Sequence, residues 1–125
     1  MSHPFRDAVE SGNVESVFDM LADDVRFNSP VAFQPFEGRD TVAQVLRAAF
    51  ETFEDFRYTD ELENGGVHAL VFRARVGDKD VEGLDLIRDD ADGKIVDFTV
   101  MVRPASALMA LGQAMGPKVA ELKPA

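Results

Sequence analysis

VHALVFRARVGDKDVEGLDLIRDDADGKIVDFTVMVRP, residues Val67–Pro104, decides the fold. Three runs of alternating apolar and polar residues are separated by two short turn segments. That pattern predicts an antiparallel meander. Gly77-Asp78 suits a two-residue hairpin loop, because glycine readily supplies a positive φ. Pairing Val76 with Lys79 then sets Ala74 opposite Val81, Phe72 opposite Gly83 and Leu70 opposite Asp85. Successive side chains point to opposite faces of a strand. One face carries Arg73 and Arg75 opposite Glu82 and Asp80, two expected cross-strand ion pairs. The other carries Leu70, Phe72, Ala74, Val76, Val81, Gly83 and Ile87, joined on the third strand by Val96, Phe98, Val100 and Val102. Two polar residues interrupt this apolar face, His68 and Asp85. An acid aimed into an apolar layer is the most informative feature of the chain.

The rest of the chain supplies the cover. Phe5, Ala8, Val9 and Gly12 fall at helical spacing, as do Val14, Val17, Phe18 and Leu21. These are two short helices meeting near Gly12, with Asn13 as N-cap of the second. VRFNSP reads as a strand ended by Pro30. The loop PVAFQPFEG places Phe33 and Phe36 between prolines and a glycine, as tucked residues or as a pocket rim. Asp40 is expected to cap a third helix with the apolar stripe Val42, Val45, Leu46, Ala49, Phe50 and Phe53. DFRYTDELENGG reads as a strand neighbouring the meander. PASALMALGQAMG reads as a helix without charge, covered on both sides or serving as a lid or subunit contact. Gly116-Pro117 is expected to stop it, and the polar tail to fray. Helices followed by mostly antiparallel strands give an α+β fold with the helices on one sheet face. The opposite face still shows Ala69, Val71, Leu84, Leu86, Thr99 and Met101, which suggests a homodimer interface.

Composition bounds the function. The 125 residues, 46% hydrophobic and 29% charged, suit one soluble domain spanning 1–125. A net charge of -10 disfavours nucleic acid and anionic membranes. The absence of cysteine excludes disulfides and thiolate chemistry. No apolar run spans a bilayer, and MSHPFRDAVESGN has no signal-peptide core, so a cytoplasmic protein is expected. His3 and His68 are the only histidines and match no HxH or HExxH spacing, so neither metal nor cofactor is expected. No Ser lies in a GxSxG elbow, and the glycines match no phosphate loop.

The segments LADDVRFNSPV, PFEGRDTVAQVL and GLDLIRDDADGKIVDFTVMVRP resemble the nuclear-transport-factor-two-like superfamily, and within it the SnoaL-like and ketosteroid-isomerase-like branch. The resemblance implies a cone, in which N-terminal helices wrap a strongly curved, mostly antiparallel sheet of cystatin-like type. It also implies a deep apolar pocket for a small apolar molecule, and a dimer. Asp85 falls where the steroid isomerases keep a protonated aspartic acid that donates to the developing oxyanion. Their general base falls on Ser29, their oxyanion tyrosine on Phe5 and a supporting tyrosine near Leu46; Tyr58 lies elsewhere. In the polyketide-cyclase branch an Asp at the Asp85 position is the acid/base residue, a role that survives here.

The expected site therefore has Asp85 as acid/base with His68 beside it. Phe5, Ser29, Phe33, Leu46, Phe50, Leu70, Phe72, Phe98, Val100 and Val102 are expected to line the pocket. An isomerase- or cyclase-type enzyme, a non-catalytic carrier and a dimerisation module all remain open.

Overall fold

The computed structural model describes residues 3–120 and 122. The tail expected to fray lies mostly outside them, at 121 and 123–125. Helices α1 (Pro4–Ser11) and α2 (Val14–Asp19) are followed by β1 (Leu21–Asn28), the two-residue β2 (Phe36–Glu37) and α3 (Arg39–Thr52). Then come β3 (Glu54–Asn64), β4 (Val67–Val76), β5 (Lys79–Asp89), β6 (Ile95–Arg103) and α4 (Ala105–Val119). One six-stranded sheet runs β2-β1-β6-β5-β4-β3, antiparallel throughout except for β1 against β6. The fold is α+β, as expected.

The meander register is the predicted one: Val76 faces Lys79, Phe72 faces Gly83 and Leu70 faces Asp85. Gly77 turns the hairpin at φ 61°. Register shifts interrupt the β3–β4 ladder before Arg57 and Asp60, and the β5–β6 ladder at Asp89. Such bulges bend and twist a strand, and they curve this sheet around its inner face.

Four local expectations are corrected. Val96 does not join the inner row: the bulge at Asp89 aligns Ile95 with it, and Ile95 is fully buried. Arg75 stands opposite Asp80, but its guanidinium turns to Asp55 at 2.7 Å and Glu54 at 3.3 Å on β3. Arg73 does pair with Glu82 at 3.1 Å. Asp40 is not an N-cap. Gly38 takes that position at φ 94°, a conformation L side chains rarely adopt, and Asp40 sits in the first turn, where its charge suits the helix dipole. Pro117 does not end α4, which runs to Val119. Gly116 has no Cβ to clash with the Pro117 ring, so the usual bar to helix before proline is relaxed.

Between the helices and the concave sheet face lies the core, built from Phe5, Val17, Val42, Val45 and Leu46 against Leu70, Phe72, Ile87, Ile95 and Phe98. Among the described residues, no helix is long and apolar enough to cross a membrane.

Candidate functional site

Asp85 sits mid-strand on β5, in the inner row that also holds Leu70 and Val100. It is 5% exposed, the one carboxyl among the described residues that is buried. Tyr58, on the inner face of β3 opposite Phe72, donates its hydroxyl to Asp85 Oδ2 at 2.9 Å. Burial pushes the Asp85 carboxyl from 3.8 up to about 7, against a smaller downward pull from the Tyr58 hydrogen bond. Burial and the adjoining carboxyl hold the Tyr58 phenol well above its ordinary range. Tyr58 therefore stays a donor, and the second Asp85 oxygen is left to carry the acid proton.

Asp85 opens onto a cavity of about 160 Å³. Its walls are Phe5 from α1, Leu46 and Phe50 from α3, Phe53 just beyond that helix, and Phe72, Phe98 and Val100 from the sheet. The loop Ser29–Ala32 and α4, through Leu111, Gly112, Met115 and Val119, form the remaining side. Gly83 shapes the floor: a Cβ there would overlap the Phe72 ring, so glycine lets that ring lie flat on β5. Phe72 then stacks on Phe56, with centroids 4.7 Å apart. Gly112 of α4 faces Val31 of the loop, whose methyl would lie 3.4 Å from an added Cβ, an ordinary contact distance. Lys118 ties the far end of α4 to Thr52 Oγ1 at 2.8 Å.

The sequence signature of the SnoaL-like domain matches residues 3–98. The chain belongs to this family. A steroid delta-isomerase from Pseudomonas aeruginosa is 39% identical, with a TM-score of 0.88 over 94% of this chain and 87% of that one. A protein with a cystatin-like fold from Silicibacter pomeroyi is 37% identical, with a TM-score of 0.89 over 94% and 86%. A nuclear-transport-factor-two-like protein of unknown function from Mesorhizobium loti shares the fold at 20% identity, with a TM-score of 0.71 over 80% and 85%. No curated protein matches the chain.

Of the residues expected at the site of this SnoaL-like chain, Phe5, Ser29, Leu46, Phe50, Phe72, Phe98 and Val100 share the cavity with Asp85. Four do not. Leu70 is fully buried and packs in the core rather than on the wall. Val102 borders a separate groove, together with Phe33, because beyond Asn28 the loop leaves β6. Phe33 is 99% exposed there. His68 shares the inner face but lies at the other end of β4, opposite Ile87 and away from Asp85. Ser29 faces the cavity, yet its Oγ accepts the amides of Val31 and Ala32 at 3.0 Å each. It shapes the loop and is not placed as a base. Tyr58, expected to lie elsewhere, is brought to the site; the alternation Phe56-Tyr58 on a strand next to β4 is the signal in the sequence.

His68 joins a cluster that no spacing in the sequence signals. His68 Nε2 and His3 Nε2 each lie 3.0 Å from Asp89 Oδ2, and the two rings meet edge-on at 4.3 Å. The donor atoms of these three residues lie within 4.8 Å of one another, as a metal site requires. The hydrogen bonds fit a different state. His3 Nδ1 accepts the Phe5 amide at 3.0 Å, so the His3 proton is on Nε2, the nitrogen an ion would need. Ligation there would cost α1 its cap. A carboxylate bridging two neutral imidazoles fits the cluster better than a metal.

Proposed function

We propose that the protein binds a small apolar molecule bearing one carbonyl oxygen, and that Asp85 is its acid/base group. The observation that carries this reading is the Asp85 carboxyl, held by one hydrogen bond in an otherwise apolar cavity, with a pKa of about 7. Near neutrality such a group can donate a proton to a carbonyl oxygen or take one from the adjacent carbon. One carboxyl doing both in turn moves a proton within the ligand without a cofactor, which is isomerase chemistry. Similarity to a protein described as a steroid delta-isomerase supports this class. Size argues for a smaller ligand than a steroid: a cavity of about 150 Å³ takes a benzene-sized ring.

A second reading is binding without turnover. It is favoured by the lining, in which Ser29 and Asp85 are the polar residues and Ser29 is engaged by its own loop. One- and two-ring ketones, followed by NMR in heavy water, separate the two. The enzyme reading expects tighter binding below about pH 7 and exchange of the proton beside the carbonyl. Asp85→Asn should then bind without exchange. Binding without exchange in the wild type would establish the carrier, and no binding of any ketone would overturn both readings. We propose further that two copies meet through the outer sheet face, where Ala69 lies beside Leu86 and Leu84 lies between Val71 and Met101.

A further inference from the structure

We propose that His3 is a proton-operated latch on the N-terminal helix. α1 starts at Pro4, which has no amide hydrogen, so Phe5 carries the first amide that needs a partner. That partner is His3 Nδ1 at 3.0 Å. The opposite ring nitrogen donates to Asp89, at 3.0 Å from Oδ2 and 3.3 Å from Oδ1. The ring is buried, and its backbone amide is fixed by Glu61 Oε2 at 2.7 Å. Both contacts together are compatible with a single form of the imidazole, neutral and protonated on Nε2.

A second proton must go on Nδ1. There it faces the Phe5 N–H, donor against donor. It also places a positive charge at a helix N-terminus, against the helix dipole. Asp89 attracts the same charge, so the ring stays with Asp89 and releases the helix. Among the described residues, the other titratable or charged groups around the ring include His68 from β4, Glu61 and Glu63 from β3, and Arg6 from α1, which pairs with Glu61 at 3.2 Å. His68 Nδ1 is buried and has no hydrogen-bond partner among the described residues.

What the latch holds is part of the cavity. Phe5 is a wall residue, packed edge-on against Phe98 at 5.0 Å. The Arg6 guanidinium lies 5.9 Å from the ring centre of Tyr58, the donor to Asp85. Acidification should therefore loosen the first turn of α1 and, with it, that end of the cavity. The inference concerns the ligand-free chain and does not depend on the ligand.

Amide hydrogen exchange at Phe5, corrected for intrinsic rates, tests it on the whole protein between about pH 8 and about pH 5. Protection in the wild type should fall about fivefold on acidification, the worth of a typical cap. His3→Asn offers a capping oxygen that does not titrate, and should stay protected throughout. His68→Gln and Asp85→Asn should show the same fall as the wild type. Constant protection in the wild type, a fall in His3→Asn, or loss of the fall in either other variant would overturn the proposal. So would nitrogen shifts showing a proton on His3 Nδ1 at about pH 8, a readout independent of any variant.

Discussion

Asp85 keeps its proton to near neutrality because burial disfavours its charged form more than the Tyr58 hydrogen bond supports it. Tyr58 is the one neighbour that favours the charged form. Tyr58→Phe should therefore move the Asp85 pKa further up from about 7, at a cost of about 1 kcal/mol in stability for the lost bond. Carbon-detected titration and denaturant unfolding measure the two effects; a downward shift would show that Tyr58 holds the neutral acid instead. At this scale the sequence revealed Asp85, because an acid in a row of period-two apolar residues stands out. It did not reveal Tyr58, which reaches Asp85 from 27 positions away across a bulged strand. Nor could it reveal His3 beside Asp89, 86 positions apart. Two lone histidines have no periodicity to read.

At the scale of elements, tight turns made the meander legible. A two-residue loop fixes parity, and parity fixes every pair of β4 and β5. The turn between β5 and β6 is longer and is followed by a bulge, so parity was lost there and Ile95 took the place expected of Val96. Alternation says which residues share a face only until an extra residue intervenes. The uncharged pattern of α4 left its cover open: Ala107 and Leu111 are buried, Met109 is 65% exposed, and the helix closes one side of the cavity. Which of its faces did so was not legible, because glycine and alanine spread around the helix leave little amphipathic contrast.

At the scale of the molecule, the convex face is the feature left without cover. Met101 and Leu62 are 52% and 68% exposed, and Leu84 and Leu86 lie half-buried on β5, between the strands that carry them. Glu82 bridges Arg73 and Arg103 at one border, at 3.1 and 3.0 Å, so both charge signs flank the apolar rows. A two-fold pairing can match such a border to itself despite the net charge of -10. Leu84→Asp should convert a dimer to a monomer in sedimentation while leaving the fold intact. A wild-type chain that sediments as a monomer would refute the pairing.

The central claim is that the fold holds Asp85 as a neutral acid inside the cavity. The sign of its linkage to stability follows. A carboxyl whose pKa is raised by folding stabilises the native state below its unfolded value of about 4, and that contribution is lost as pH rises through about 7. The most direct test is carbon-detected NMR titration of the Asp85 carboxyl, assigned by its absence in Asp85→Asn. The account predicts a midpoint near 7. A midpoint at or below the ordinary value of about 4 would mean a solvated or ion-paired carboxylate, and would contradict the acid/base site.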